Sequence, residues 1–336
     1  MDFKEAKFWE VENGELKCTL CPHNCIIPEN KTGICGARKN INNKLVTLSY
    51  AEVISVSLDP IEKKPLYHFF PGKSIISTGP RGCNLACKYC QNWSISQKDG
   101  PTSHLEPEEL IEIAIENNSL GIAYTYTEPT IAYEYVMDCA RLAHQRGLFN
   151  VMVTNGFINP EPLETLLEFI DAFNIDLKSI RDGFYKQICN GKLKPVLDTI
   201  QSCYYNGNLI EITNLVIPEY NDTQEEISDL VDFIYSIDDK IPLHLSGYHP
   251  CYELNAPPTR VNQLRKAYDI AKEKLAYVYV GNRNTDWGNN TVCPSCGNLL
   301  VERSGFWSSI IGIDKAGRCN NCGRKVDIIG RWSLEN

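Results

Sequence analysis

Across its middle, the chain alternates short apolar runs with longer stretches whose apolar residues recur at helical spacing. Strand-like runs fall at Ser74–Thr78, Ile122–Tyr126, Asn150–Thr154, Phe173–Leu177, Leu209–Val216, Pro242–Tyr248 and Tyr277–Val280. Between them, Pro107–Asn118 opens on Pro-Glu-Glu and carries Leu110, Ile111, Ala114 and Ile115 on one face. Ile131–Arg146 ends at Gly147, and Thr259–Leu275 sets Val261, Leu264, Ala267, Tyr268 and Ala271 at helical intervals. These are the period, start and stop signals of helices. Strands and helices in turn predict parallel strands joined by crossover helices, an α/β fold.

Residues able to do chemistry follow the predicted strands. Cys83 comes after the first. Tyr126, Thr127 and Glu128 close the second, Thr154 and Asn155 the third, Asp176 and Lys178 the fourth, and His249 follows the sixth. In a β/α barrel the C-terminal strand ends are where an active site is assembled. Any one of these residues alone reads as a solvated loop residue; their recurrence at successive ends argues for a site.

The chain has 336 residues and a formal net charge of −9. The acidic balance and the lack of long Lys/Arg runs argue against non-specific nucleic-acid binding. No apolar run approaches the ~20 residues of a membrane span, and the opening MDFKEAKFWE lacks the apolar core of a secretory signal. A cytoplasmic protein is expected. Its 15 cysteines are odd in number and clustered, which suits metal sites better than disulfides. The clusters divide the chain into an N-terminal Cys-rich module (1–72), a core (73–284) and a C-terminal four-cysteine tail (285–336). Cys139, Cys189, Cys203 and Cys251 are scattered and read as small buried hydrophobes.

The central segment TGPRGCNLACKYCQNW spaces Cys83, Cys87 and Cys90 as C-x3-C-x2-C. Three thiolates this close suit a cubane iron–sulfur cluster, since each can reach a different iron. The fourth iron is left open. Zinc is the rival, but structural zinc takes four closed ligands, and His68 and His104 are poorly placed to supply one.

This segment resembles the signature of the radical S-adenosylmethionine (SAM) superfamily, including the aromatic Tyr89 before the last cysteine. The resemblance implies a partial (β/α)6 TIM-like barrel and a [4Fe–4S] cluster on Cys83, Cys87 and Cys90. It also implies SAM on the open iron, reductive cleavage to a 5′-deoxyadenosyl radical, and an electron donor such as ferredoxin or flavodoxin. YTEP (Tyr126, Thr127, Glu128), TNG (with Asn155) and DLK (Asp176, Lys178) are similar to the branch containing pyruvate formate-lyase activating enzyme. There the matching residues contact SAM, and His249 matches a histidine lining that site. Asp176 and Lys178, two apart on a strand, face one side. His244, inside a strand, is the weaker histidine candidate. The runs CTLCPHNC, GICGAR, CNLACKYCQNWSIS, TYTEPTIAYEY, LVIPEYND and YVYVGN resemble the AmmeMemoRadiSam-system radical SAM enzyme along nearly the whole chain. One segment departs: SGYHPCYEL has Gly247, Cys251 and Glu253 where that family leads one to expect basic residues around its aromatic and His-Pro.

The C-terminal group, Cys293-x2-Cys296-Gly and Cys319-x2-Cys322-Gly, fits a tetrahedral zinc ribbon; a lone iron takes the same ligands. Trp307, Ile310 and Ile311 are expected to hold this tail on the barrel. The N-terminal group, Cys18, Cys21, Cys25 and Cys35, reads as a closed four-thiolate site for zinc or a second iron–sulfur cluster, with His23 able to replace one cysteine. Two function classes follow. One is a radical SAM enzyme acting on a small molecule or a partner protein, the latter as a glycyl-radical-enzyme activase. The other is a non-catalytic zinc-binding interaction protein.

Overall fold

The computed structural model describes residues 3–334. It opens with two hairpins, β1 (Trp9–Glu12) with β2 (Glu15–Cys18), and β3 (Arg38–Ile41) with β4 (Lys44–Thr47). Each is closed by two residues of positive φ, Asn13-Gly14 and Asn42-Asn43. That turn matches the twist of its strands, and Asn and Gly tolerate it best.

The body of the molecule runs β5 (Glu52–Pro60), β6 (Ser74–Pro80), α1 (Trp93–Ser96), β7 (Ser103–His104), α2 (Pro107–Glu116), β8 (Gly121–Tyr124), α3 (Tyr133–Gln145) and β9 (Phe149–Thr154). It continues through α4 (Pro160–Leu167), β10 (Ala172–Asp176), α5 (Asp182–Phe184), α6 (Leu193–Tyr205) and β11 (Leu209–Val216). It closes with α7 (Gln224–Ile237), β12 (Leu243–Gly247), α8 (Val261–Lys272) and β13 (Val278–Gly281). These strands form one nine-stranded sheet, ordered β13-β12-β11-β10-β9-β8-β6-β5-β7. The seven predicted runs are its seven parallel strands, β6 and β8 to β13. Every residue of β8 is buried, as expected of a parallel strand covered on both faces. Helix starts follow local chemistry. Pro107 opens α2, and the Thr223 hydroxyl accepts the Glu226 N–H at 3.2 Å to cap α7.

β5 lies within the N-terminal module as read from sequence, yet it pairs antiparallel with β6, from Val53 opposite Pro80 to Pro60 opposite Ser74. The sheet thus crosses the boundary drawn at residue 72. The hydrophobic pattern marks β5 as a strand but carries no information on its partner. The N-terminal hairpins are tied to α3 by a buried ion pair, Arg38 Nη2 to Glu134 Oε1 at 2.7 Å. The same oxygen accepts the Lys7 N–H at 2.7 Å.

The tail forms a three-stranded antiparallel sheet of β14 (Thr291–Val292), β15 (Leu299–Ser304) and β16 (Trp307–Ile310). Trp307 is 79% exposed, and Ile310 and Ile311 are also exposed, which corrects the expectation that they anchor the tail. The tail docks instead through backbone and buried polar groups. Phe70 N–H donates to the Ile329 carbonyl at 2.7 Å and Ile329 N–H to the His68 carbonyl at 2.8 Å. The Arg303 guanidinium covers the Tyr67 ring and reaches the Tyr67 carbonyl at 2.8 Å. Among the described residues, no helix is long and apolar enough to cross a membrane.

Candidate active site

After β6 the chain turns at Gly82, with φ 100°, where a Cβ would come 2.6 Å from the Cys35 carbonyl oxygen. Only glycine tolerates both the conformation and the approach. Cys83, Cys87 and Cys90 follow, and all three line one cavity of about 900 Å³ at the C-terminal ends of the parallel strands. The Cys83 sulfur accepts from the Leu85 N–H at 3.4 Å and Asn155 Nδ2 at 3.6 Å. The Cys90 sulfur meets the Ser96 hydroxyl at 3.2 Å. Burial pushes the Cys83 thiol well above its ordinary value. Hydrogen bonding with the free Cys189 thiol holds Cys87 below its usual range, and the Lys178 charge adds to this against burial. Cys189 sits 3.7 Å from the Tyr89 hydroxyl and does not line the cavity.

These residues fit a cubane cluster with three protein ligands. Among the described residues, only Cys293, Cys296, Cys319 and Cys322 bring all their ligand atoms within 4.8 Å of one another, as a single ion requires. The central three sulfurs are spread wider around open space, and among the described residues no fourth cysteine lines it.

Four of the five predicted strand ends contribute. Tyr126 holds a left-handed φ of 72°, strain of the sort that gathers at functional sites. Its hydroxyl donates to Asp59 at 2.9 Å. The Thr127 hydroxyl donates to the Pro80 carbonyl at 2.6 Å, joining the ends of β8 and β6. Glu128 is fully buried. Its Oε1 accepts from the Thr130 N–H and the Thr130 and Thr154 hydroxyls, and its Oε2 from the Asn155 N–H, at 2.8–3.1 Å. Burial raises its pKa against these donors. Glu128 therefore clamps the β8 and β9 ends together. Asn155 Nδ2 reaches both Cys83 and the Asn84 side chain, the latter at 2.8 Å. Asp176 Oδ2 pairs with Lys178 Nζ at 2.9 Å. Burial opposes the Lys178 charge, but Asp176 and the Cys87 and Cys189 thiols hold its pKa well above the ordinary value.

The two histidines lie in different places. His249 is exposed at the rim, 3.5 Å from Gln91, and is outside the cavity lining. His244 lines the cavity, buried, with Nε2 2.6 Å from Glu211 Oε2. Its sequence signal was a charged or polar residue interrupting an otherwise apolar parallel strand, as in LIEITNLV and PLHLSG. The buried Lys64, 2.7 Å from Asp59, also lines the cavity, and nothing in its local pattern marks it. The divergent 246–254 segment lies on the cysteine loop. The Cys251 thiol donates to the Cys90 carbonyl at 3.5 Å, Glu253 N–H to the Lys88 carbonyl at 2.8 Å, and Tyr252 stacks on Trp93.

In the tail, Cys293 and Cys322 sulfurs are 3.6 Å apart and those of Cys296 and Cys319 3.7 Å. Four sulfurs around one tetrahedral ion at ~2.3 Å lie ~3.8 Å apart, so this group fits a single ion. The N-terminal Cys18, Cys21, Cys25 and Cys35 line a separate small cavity. His23 directs Nε2 to the Asn84 carbonyl at 2.7 Å, away from a ligand role through that atom.

The family model of the radical SAM superfamily matches residues 78–234. The Uncharacterized protein MJ0808 of Methanocaldococcus jannaschii is 45% identical over 337 residues, 97% of this chain and 99% of that one. The chain belongs to the radical SAM superfamily. It is therefore an enzyme, and the non-catalytic zinc-binding reading falls. Within this superfamily, the pyruvate formate-lyase-activating enzyme of Clostridium pasteurianum is 26% identical over 176 residues, half of this chain and 73% of the other. A radical SAM methyltransferase from Sphaerobacter thermophilus shares the fold, with TM-score 0.52 at 16% identity over 69% of this chain and 71% of its own.

Proposed function

We propose that this enzyme reductively cleaves SAM and uses the radical to take hydrogen from a substrate not yet identified, in the manner expected of the AmmeMemoRadiSam-system radical SAM enzyme. The observation that carries the reading is that Cys83, Cys87 and Cys90 share one roomy cavity with Asn155, Asp176 and Lys178, and no fourth cysteine lines it among the described residues. Cys83, Cys87 and Cys90 would hold a [4Fe–4S] cluster, which would supply the single electron that reductive cleavage of SAM needs.

The chain's own residues bind and orient. Lys178 keeps its positive charge beside Cys87, where it attracts a carboxylate. Asp176, still accessible, accepts from ribose hydroxyls. Tyr126 and Thr127 offer the backbone that supports an amino group, with Glu128 acting through the clamp it makes on the two strand ends. His249 at the rim joins this set only by movement of its loop. Buried polar groups deeper in the cavity, His244 and Lys64, are placed to hold a polar substrate. The ribbon is assigned structural zinc. An activase role on a partner protein is the second reading, favoured by the similarity to a named activating enzyme; an electron-donor protein serves either.

Anaerobically reconstituted protein with dithionite and SAM should release 5′-deoxyadenosine. Cys87→Ala should abolish release while leaving the fold intact by circular dichroism. A colourless wild type holding only zinc, or a Cys87→Ala variant with full cleavage, rules the reading out.

A further inference from the structure

We propose that Cys18, Cys21, Cys25 and Cys35 hold a second [4Fe–4S] cluster, not a single zinc ion. Both four-cysteine groups in this molecule could take either by sequence spacing, so the argument rests on how the sulfurs are placed. Among the described residues, the ribbon sulfurs all lie within 4.8 Å of one another, and no three of the N-terminal sulfurs come that close. Yet the N-terminal four do converge, since all line one small cavity of about 10 Å³. That is room for about one water-sized sphere. A single ion bound at ~2.3 Å by four sulfurs leaves no such space among them. A cubane spreads its thiolates over four separate irons and so holds them further apart. In this respect the N-terminal group is built like the central three cysteines and unlike the ribbon.

The walls suit an anionic cluster. Leu20, Ile27 and Ile131 keep the cavity apolar, and Arg38, whose Nη2 pairs with Glu134, lines it with its Nε left without a partner.

The position gives the cluster a use. Asn84 lines the N-terminal cavity, and its neighbour Cys83 lines the active-site cavity. The Cys35 carbonyl lies against Gly82, so one layer of backbone separates the two sites. On the outer side, Ile34 is exposed and also lines the cage. One electron from a low-potential protein donor reduces the N-terminal cluster from 2+ to 1+. The same electron then passes inward, and the N-terminal cluster returns to 2+. The metal assignment stands on the thiol geometry alone; the relay rests on the function proposed above.

Metal analysis and Mössbauer spectroscopy of the wild-type protein, reconstituted without oxygen, should find about eight irons and one zinc per chain. About four irons and two zincs would overturn the assignment. A Cys83→Ala/Cys87→Ala/Cys90→Ala variant should keep about four irons and a reducible cubane signal in paramagnetic resonance that ignores SAM. Loss of that signal in folded protein, with zinc in its place, also overturns it. If the variant keeps its cluster while the wild-type signal fails to respond to SAM, the active-site reading fails and the N-terminal cluster stands. With a flavodoxin as donor, Cys18→Ala/Cys21→Ala should slow SAM cleavage at least about tenfold; an unchanged rate overturns the relay.

Discussion

The N-terminal cage and the C-terminal ribbon each present four cysteines, but the molecule arranges them differently. In the ribbon, Cys-x2-Cys-Gly turns at Gly297 and Gly323 fold two pairs onto each other, with sulfurs 3.6 and 3.7 Å apart. In the cage the cysteines come from β2, the loop after it and the approach to β3, and Gly82 of the barrel lies against the Cys35 carbonyl. The ribbon is a self-contained knuckle pair with a small core of Leu300, Val301, Val326 and Ile328. The cage is part of the main core, with Cys18, Leu20 and Ile27 buried in the same cluster as the barrel residues. On the proposed assignments, one site would fold around its metal, while the other is shaped by the barrel packed against it.

The largest effect expected from that difference is on metal removal. Chelation or Cys296→Ser should unfold the ribbon, whose metal contributes about 10 kcal/mol or more to such a tail. Amide hydrogen exchange should show residues 291–330 losing protection while α3 and the barrel strands keep theirs. A uniform loss across the chain would erase the distinction between the two regions.

Glu134→Ala comes next. It leaves Arg38 buried without its partner, at a cost of about 3–5 kcal/mol. Urea unfolding should show the loss, with ribbon zinc content unchanged.

The seam between barrel and ribbon should be acid-sensitive. His68 contacts the Asp327 carbonyl at 2.6 Å and the Tyr279 hydroxyl at 2.7 Å. Burial holds its pKa down at about 4 from 6.5, with Glu211 pulling upward and Arg303 and His244 adding to the depression. The folded state resists protonation while the unfolded chain accepts it. The resulting stability is complete above about pH 6.5 and falls by up to ~3 kcal/mol as pH drops toward about 4. Urea midpoints of His68→Gln should lose this part of the slope.

The smallest effect belongs to Trp307→Ser, expected within about 0.5 kcal/mol in thermal unfolding because the ring is exposed. A larger loss would restore Trp307 as an anchor.

Much of the fold was legible because parallel strands buried on both faces read as apolar runs, and all seven such runs found their places. Their ends were less so. The run Ile122–Tyr126 stops as a strand at Tyr124, since Tyr126 takes a left-handed φ that no hydrophobic pattern encodes. The cysteines and the Asp176–Lys178 pair were visible through local spacing. His244, Lys64 and Cys189 reach the cavity or its ligands only through pairing of distant segments: Glu211 beside His244, Asp59 beside Lys64, Cys87 beside Cys189. The same blindness made Trp307 an anchor.

By itself, the amino-acid sequence determined that this chain folds as parallel strand–helix units, that its clustered thiols fall into three sets, and that residues able to do chemistry follow the strands. Each is set by periodicity or spacing within a few residues. Tertiary structure decided how far apart the sulfurs of each set stand, which histidine enters the cavity, and how closely the N-terminal cage approaches the active site. Those are distances between segments far apart in the chain, and packing alone fixes them.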